Sequence, residues 1–359
     1  MRLLSVVGAR PQFVKAAVIC KALAKIDGGA AICHRIVHTG QHYDPLLSEV
    51  FFQELDIPPP DHNLEVGSGS HAAQTGEMMM RLEPVLAAEE PDWMLLYGDT
   101  NSTLAGAIVG SKLGLKMAHV EAGLRSYNRL MPEEINRIVA DRLCDLLLCP
   151  TPLSVENLRK EGLGGQAVLT GDVMYDAALA FRERAELLSG PMAQSWRAGE
   201  FALATVHRAE NTDDAGRLRA ILRALDCIAR RICPVLLPLH PRTQKRLADL
   251  GVSPEAVTVT QPATYLEILQ LESRARFILT DSGGVQKEAY FAKVPCITLR
   301  EETEWEETLE NDCNVLAGAS VERIVAAAED AGRAGPWTPV YGDGQAGEHI
   351  VRALRKRVA

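Results

Sequence analysis

The chain has 359 residues, of which 47% are hydrophobic and 24% are charged, a balance typical of a soluble globular protein with about two domains. Its net charge of -9 argues against a broad nucleic-acid surface, which needs clustered positive charge, but a local phosphate site remains compatible with it. No apolar run approaches a membrane span and no secretory signal is visible, so a cytoplasmic location is expected.

The first half of the chain alternates strand-like and helix-like segments. An apolar run at 3–7 predicts a buried parallel strand, and the spacing of apolar residues over 12–26 predicts a helix. The pattern continues with predicted strands at 32–39, 93–97, 117–120, 146–149 and 167–170, and with predicted helices at 71–89 and after residue 100. The three methionines at 78–80 are interpreted as core residues.

The periodicity weakens between 181 and 200 and then restarts, which indicates a domain boundary. Further strands are predicted at 201–206, 234–239, 257–260, 276–280 and 295–299. Two such halves predict an α/β fold of two doubly wound domains that face each other across a cleft. The expected division is an N-terminal domain over 1–171, a C-terminal domain over 172–345 and a final helix over 346–359 that packs back on the first domain.

The eight cysteines form no Cys-X-X-Cys pair, and several lie in apolar segments. We interpret them as reduced core residues. Neither a metal site nor a disulfide framework is predicted.

Charge is concentrated between His119 and Arg137, where three carboxylates, three arginines and one histidine lie within nineteen residues. Glu121 follows a predicted strand, at the edge where open α/β sheets bind ligands. Pro132 is expected to begin a helix with Glu133 in its first turn and Arg137 on the same face. An ordinary ion pair would explain Glu133 equally well. A carboxylate at a strand end, however, is costly unless it is paired or used, which favours a functional Glu121.

A glycine-rich turn, TDSGGVQKE, follows the predicted strand at 276–280. Gly283 and Gly284 allow close approach of the backbone, Ser282 can cap the next helix, and free amides at its N-terminus can bind phosphate. Glu288 could accept hydrogen bonds from a ribose. A plain helix start is the alternative interpretation. The chain has no Walker sequence or GxGxxG fingerprint here, which argues against an NTPase or a classical dinucleotide enzyme.

Basic side chains follow other predicted strands. Arg10 and Lys15 come after the first strand and could contact phosphates or orient carboxylates, although a solvated basic pair is the alternative. His207 and His240 end two strands of the second half, each next to or near an arginine, which favours ligand contact over a purely structural role. With Asp99 and the other carboxylates in the first half, the pattern predicts acid-base chemistry on one wall and a bound phosphate on the other.

Seven ordered motifs resemble those of the non-hydrolysing UDP-N-acetylglucosamine 2-epimerases. They are GARPQFVKAA, HTGQHYD, YGDTNSTLAGA, HVEAGLRS, MPEEINR, ATVHRAEN and LTDSGGVQKEA, and the resemblance runs from the first strand to about residue 318. It implies a GT-B architecture of two Rossmann-like domains with the active site between them, a homodimer and a UDP-sugar substrate. It also implies that no cofactor or metal is needed, and a role in making precursors of bacterial surface polysaccharide such as lipopolysaccharide O-antigen.

The resemblance further implies a mechanism. A base removes the proton from carbon 2 of the sugar while UDP leaves carbon 1, and the resulting 2-acetamidoglucal is reprotonated on the opposite face before UDP returns. The implied catalytic residues are Asp99, Glu121, Glu133 and His207, and the implied UDP- or sugar-binding residues are Arg10, Lys15, Gln41, Arg137, His240, Ser282, Gly283, Gly284 and Glu288. Which carboxylate acts as the base in each direction stays open.

Two motifs depart from those of many members that act on UDP-N-acetylglucosamine. Those members have Thr-Arg-Pro-Glu where this chain has ARPQ at 9–12, and Thr-Glu-Arg-Pro-Glu where it has TEWEE at 303–307. Trp305 therefore takes the place of an arginine. The variant motifs resemble the subgroup that acts on UDP-2,3-diacetamido-2,3-dideoxy-glucuronate, so both sugars stay open as substrates.

Three other functions compete with this interpretation. A hydrolysing relative would release UDP and free N-acetylmannosamine, a GT-B glycosyltransferase would form product only with an acceptor, and a nucleotide-sugar sensor would bind UDP without proton exchange. The concentration of carboxylates argues against the glycosyltransferase.

Overall fold

The computed structural model describes residues 1–27, 32–41, 57–187 and 195–357. The chain forms two compact units, Met1–Leu179 together with Pro339–Ala359, and Ala180–Thr338.

The first unit is an α/β fold around a parallel sheet. Its elements are β1 (Arg2–Val7), α1 (Arg10–Asp27), β2 (Cys33–His38), β3 (His62–Asn63), α2 (His71–Glu89), β4 (Trp93–Tyr97), α3 (Asn101–Leu113), β5 (Met117–Val120), α4 (Pro132–Leu143), β6 (Leu146–Cys149), α5 (Pro152–Lys160), β7 (Ala167–Leu169) and α6 (Val173–Leu187). Within the described residues, the strand order is β3-β2-β1-β4-β5-β6-β7. Strand succession reverses between β1 and β4, and in open α/β sheets the carboxyl ends at such a reversal flank the ligand site.

The second unit repeats the architecture. Its elements are β8 (Ala202–Thr205), the short helix α7 (Ala209–Thr212), α8 (Ala215–Arg231), β9 (Val235–Pro238), α9 (Pro241–Leu250), β10 (Thr258–Thr260), α10 (Tyr265–Arg274), β11 (Phe277–Thr280), α11 (Gly283–Ala292), β12 (Cys296–Thr298), a 3-10 helix (Glu306–Asp312), β13 (Asn314–Leu316), α12 (Val321–Asp330) and a second 3-10 helix (Ala331–Arg333). The parallel order β10-β9-β8-β11-β12-β13 reverses between β8 and β11, so the turns after these two strands adjoin.

Apolar runs account for the central strands because both faces of each sheet are covered by helices. β4, β5 and β6 are buried along their whole length, as are β9 and β11. The predicted strands and helices agree with the observed ones to within two residues at each end, except that the final helix, predicted over 346–359, ends at Lys356; residues 358–359 lie outside the described residues. The α/β prediction is therefore confirmed in both units.

The last helix, α13 (Ala346–Lys356), belongs to the first unit and packs on α1. Gly347 lies against Val18, where a Cβ would come 2.8 Å from Val18 Cγ1, and its backbone N–H donates to Asp176 Oδ2 at 2.9 Å. Asp176 thereby holds the start of α6 in the same unit. The two units divide after Leu179 and after Thr338, and the domain bounds expected from the sequence, at 171 and 345, stay a prediction.

Two core assignments from the sequence were too broad. Met78 is fully buried, but Met80, two residues along α2, is 66% exposed because successive helical positions point to different sides. All eight cysteines are free thiols, yet Cys33 is exposed at the start of β2. Among the described residues, no helix is both long and apolar enough to cross a bilayer.

Candidate active site

The turns after β1, β4 and β5 bring charged side chains together at the reversal in the first sheet. Lys15 on α1 and Glu121 after β5 form a buried ion pair. Gly98, after β4, lies against both, since a Cβ on it would come 2.9 Å from Lys15 Nζ and 3.3 Å from Glu121 Oε2. Glu121 itself adopts a left-handed backbone with φ of 74°, a conformation that costs a non-glycine residue about 1–3 kcal/mol. Strain at this carboxylate is consistent with a functional position.

Asp99 is the next polar residue at this edge, and it pairs with the buried guanidinium of Arg137. Arg137 also donates to Glu134 at 2.8 Å. Glu134 in turn accepts backbone N–H groups of Ser126 at 2.9 Å and Tyr127 at 3.0 Å, which makes it a structural anchor for the loop before α4. The sequence did not single out Glu134, because helix register alone does not say which of two adjacent glutamates faces inward.

Glu133 is half-buried in the first turn of α4, which begins at Pro132 as predicted. Its carboxylate stands where the helix dipole favours negative charge.

Two glutamines fix the neighbouring turns. Gln12 is buried; its Oε1 accepts the N–H groups of Gly8 at 2.8 Å and Ala9 at 3.1 Å, and its Nε2 donates to the Tyr97 carbonyl at 2.7 Å. A glutamate at this position could not make the last bond, because an ionised carboxylate has no hydrogen to donate. Gln41 accepts from Ser102 Oγ at 2.8 Å and so links the end of β2 to α3. α1 begins at Arg10, whose side chain lies outside the described part of the structure.

In the second unit, Asp281 organises the turn after β8. This fully buried carboxylate accepts the N–H groups of His207 at 3.0 Å and Arg208 at 3.1 Å, and the side-chain amide of Asn211 at 3.1 Å. His207 Nδ1 lies 3.5 Å from Asp281 Oδ1, and the rings of His207 and His240 are 5.4 Å apart between centroids. The structure therefore brings the two predicted histidines together. Asp281 was part of the predicted motif, but its role as the anchor was not.

The glycine-rich turn forms the start of α11 as predicted. Ser282 is its N-cap and accepts the Val285 N–H at 3.4 Å. Gly283 packs against Glu304 and Trp305, where a methyl group would collide with the Glu304 carboxylate. A methyl group on Gly284 would meet only Ser282 Oγ, at 3.8 Å. The protein itself therefore leaves space in front of Gly284, as an anion site at a helix N-terminus requires.

Buried charges surround this helix. The Lys287 ammonium lies 3.9 Å from the centroid of the Trp305 ring, and the Arg300 guanidinium pairs with Glu304 at 3.0 Å. Burial raises the pKa of Glu272 on α10 well above its ordinary value, and the negative charge of Glu288 raises it further. Both causes favour the neutral form of Glu272 beside Glu288. Of these side chains, only Glu288 and Trp305 were singled out from the sequence.

Comparison with known proteins gives a consistent result. Residues 24–355 match the family model described as UDP-N-acetylglucosamine 2-epimerase. A curated relative, the UDP-2,3-diacetamido-2,3-dideoxy-D-glucuronate 2-epimerase of Pseudomonas aeruginosa, is 47% identical over 99% of this chain and 100% of its own length.

Two solved structures share the whole fold. The UDP-GlcNAc 2-epimerase of Methanocaldococcus jannaschii, in complex with UDP-GlcNAc and UDP, has a TM-score of 0.92 and 41% identity over 99% of this chain and 100% of that one. The enzyme of Neisseria meningitidis bound to UDP-GlcNAc has a TM-score of 0.89 and 27% identity, over 99% and 100% of the two chains. Both the predicted resemblance and the GT-B type of two-domain fold are thereby confirmed. The chain belongs to the UDP-N-acetylglucosamine 2-epimerase family, whose members are isomerases.

Proposed function

We propose that the protein inverts carbon 2 of a UDP-activated 2-acetamido sugar by elimination and re-addition of UDP. The observation that carries the proposal is the cluster at the first sheet edge. Two acidic side chains, Asp99 and Glu121, lie in the turns after the adjacent strands β4 and β5, and each pairs with a cation on a helix. Epimerisation at an unactivated carbon needs proton transfer on both faces of the sugar, and two positioned carboxylates can supply it.

The steps balance without any external oxidant. A base takes the carbon 2 proton, the C–H electrons form the double bond between carbons 1 and 2, and the bond from carbon 1 to UDP oxygen breaks with its electrons on the nucleotide. Delivery of a proton to the opposite face of carbon 2 and return of UDP to carbon 1 complete the inversion. The bound glycal and UDP have to stay together for the second half.

Besides proton transfer, the reaction requires that departing UDP be stabilised, and the start of α11 supports this. Ser282 caps the helix and the space before Gly284 is open, so backbone amides are available to a diphosphate. His207 and His240 lie at the neighbouring turn of the same sheet edge. The proposed catalytic residues are Asp99, Glu121, Glu133 and His207, and the proposed UDP- and sugar-binding residues are Arg10, Lys15, Gln41, Arg137, His240, Ser282, Gly283, Gly284 and Glu288.

For the sugar, UDP-2,3-diacetamido-2,3-dideoxy-glucuronate is the better supported substrate. The Pseudomonas aeruginosa relative is named for it, and Trp305 and Gln12 distinguish this chain from many members that act on UDP-N-acetylglucosamine. The Methanocaldococcus jannaschii relative keeps UDP-N-acetylglucosamine as the second candidate. The homodimer implied by the sequence stays a prediction, which light scattering on the purified chain can test.

The direct test is incubation of the purified protein in heavy water with each of the two sugars, followed by NMR. We expect deuterium at carbon 2 and appearance of the manno epimer, faster with the diacetamido uronate. Release of free sugar would instead identify a hydrolysing enzyme. No exchange with either sugar would overturn the proposal, and product formation only with an added acceptor would identify a glycosyltransferase.

A further inference from the structure

His119 is the last-but-one residue of β5 and is fully buried beside the proposed catalytic turns. Its Nδ1 lies 2.7 Å from Asp141 Oδ1, and its Nε2 lies 2.7 Å from the carbonyl oxygen of Gly98. A carbonyl oxygen can only accept, and so can an ionised carboxylate. Both ring nitrogens of His119 therefore donate, which a neutral imidazole cannot do because one of its nitrogens carries a lone pair.

The charges around the ring agree with a cationic His119. Asp141 also accepts from Arg125 at 2.8 Å, and Arg125 forms a two-point hydrogen bond with Glu161 at 2.6 and 2.9 Å. The cluster thus holds two carboxylates and one guanidinium, and a protonated His119 makes it neutral. Arg142 approaches Glu161 only at 3.8 Å and is half exposed.

The two thiols near the cluster, Cys144 and Cys149, add no charge at neutral pH. Burial raises the pKa of the Cys144 thiol, and burial raises that of Cys149 to about 12, with the charge of Asp141 contributing to both. Burial alone would raise the pKa of Asp141, but hydrogen bonding and charge from His119 and Arg125 lower it overall. Asp141 is therefore ionised.

The pair of His119 and Asp141 holds the backbone of the turns that carry two of the proposed catalytic carboxylates. Gly98 precedes Asp99 and is held to β5 at both ends, since its N–H donates to the Val120 carbonyl at 3.0 Å and its carbonyl accepts from His119. Asp141 also accepts the N–H of Gly123 at 3.2 Å, in the turn where Glu121 has its left-handed backbone. One buried ion pair thus ties down both turns.

We propose that His119 is a positioning residue of the reaction, a buried imidazolium that fixes the turns carrying Asp99 and Glu121. The inference rests on the proposed function for its catalytic consequence, whereas the charge of His119 is independent of it. His119 touches neither the sugar nor UDP in this role. Its loss should therefore affect turnover more than ligand binding.

The first experiment measures the charge directly on the intact protein. The ring nitrogens of 15N-histidine-labelled protein are observed by NMR between pH 6.5 and 8, and His119 is assigned by comparison with His119→Gln. We expect both His119 nitrogens to carry a proton at neutral pH, because both face acceptors. A ring nitrogen without a proton at neutral pH would overturn the proposal, whatever the protein's activity.

The second experiment separates positioning from folding. His119→Gln keeps one donor but not the charge, and we expect kcat for carbon 2 exchange to fall at least about tenfold while KM and UDP affinity stay within about twofold. The matched control is His62→Gln, which removes another histidine–carboxylate pair, His62 with Glu89 at 2.7 Å, from the edge strand of the same sheet. We expect that variant to keep the wild-type kcat.

A wild-type kcat in His119→Gln would contradict the positioning role. An equal loss of kcat in His62→Gln would contradict it as well. If His119→Gln does not fold, the His119 ring signals are assigned by through-bond correlation with the backbone amide of His119, and the NMR result on the wild-type protein still decides the charge. If the wild-type protein exchanges no deuterium with either sugar, the proposed function fails and the catalytic role of His119 fails with it, but the imidazolium result stands.

Discussion

The two sheets of this chain share one strand topology, yet the groups at their carboxyl edges differ. At the first edge, side chains face side chains in the buried pair of Lys15 with Glu121 and in the pair of buried Arg137 with the partly exposed Asp99. At the second edge, backbone amides dominate: Asp281 accepts amides of the turn after β8, and Ser282 accepts an amide at the start of α11. A ladder of parallel strands therefore supports either proton transfer or anion binding, depending on the residues in the turn after each strand.

The difference shows where each kind of site is vulnerable. An ion pair between two side chains fails when one charge is removed, whereas an amide site fails when its backbone moves or its approach is blocked. Substitutions that keep shape but remove charge should therefore damage the first edge more, and added methyl groups should damage the second.

The largest effect is expected from removing a carboxylate at the first edge. Glu121→Gln keeps the shape of the side chain but cannot accept a proton at neutral pH, and we expect kcat to fall by about 10²–10⁴-fold with UDP affinity retained. Asp99→Asn should behave in the same way. The measurements are deuterium exchange at carbon 2 and calorimetry with UDP. Glu77→Gln on the exposed face of α2 is the control, and full activity in both site variants would refute the assignment.

A second prediction concerns the core of the first unit rather than its edge. Burial lowers the pKa of His34 to about 4, and the ring forms hydrogen bonds with Ser5 at 2.8 Å and Cys20 at 3.7 Å. Because the unfolded chain binds this proton at higher pH, the stability from a neutral His34 is present above about pH 6.5 and is lost as the pH falls towards 4, by up to about 3 kcal/mol.

Urea unfolding of the wild type and of His34→Gln between pH 4 and 7 measures this effect. We expect the wild type to lose more stability than the variant over that range, since paired carboxylates contribute equally to both. Parallel curves for the two proteins would contradict the prediction.

At the second edge, Asp281→Asn should destabilise the turn after β8. The new amide group would point donors at the N–H groups of His207 and Arg208, which leaves buried donors unpaired at a cost of about 1–3 kcal/mol. The free energy of unfolding measures the loss. Asp213→Asn, at a more exposed carboxylate nearby, is the comparison, and equal stability of the two variants would mean that Asp281 is not the anchor.

The smallest effect is expected from Gly284→Ala, which sharpens the contrast between the edges. The protein has room for the added methyl group, so we expect an unchanged melting temperature. A diphosphate that lies against the amides would meet that methyl group, and UDP affinity should fall about tenfold, which corresponds to about 1.4 kcal/mol. Unchanged UDP affinity would place the nucleotide elsewhere.

The strand ends were the most predictable part of this site. Short apolar runs followed by Gly-Asp, Glu-Ala-Gly or Ser-Gly-Gly marked where parallel strands stop, and parallel strands necessarily stop at a common edge. Ser282 as a cap and Pro132 as a helix start were predictable from local chemistry alone. None of these required knowledge of a distant residue.

The anchors of the site were not predictable in this way. Gln12 bonds to Tyr97, and His119 bonds to Asp141 and Gly98, across sequence separations of 85, 22 and 21 residues. In the sequence, a polar residue that will be buried gives no sign of its hydrogen-bond partner, which can be water, a neighbouring residue or a residue on another strand. Only the packed sheet selects the partner.

The sequence alone determined the alternating strands and helices, the position of the turns at the strand ends and the family, because periodicity, capping and motif spacing are local properties. The tertiary structure decided which of Glu133 and Glu134 anchors the loop before α4, where the units divide, and which groups bond to the buried ring of His119. Those outcomes depend on desolvation and on hydrogen-bond partners brought from elsewhere in the chain, and such partners exist only after the sheets have assembled.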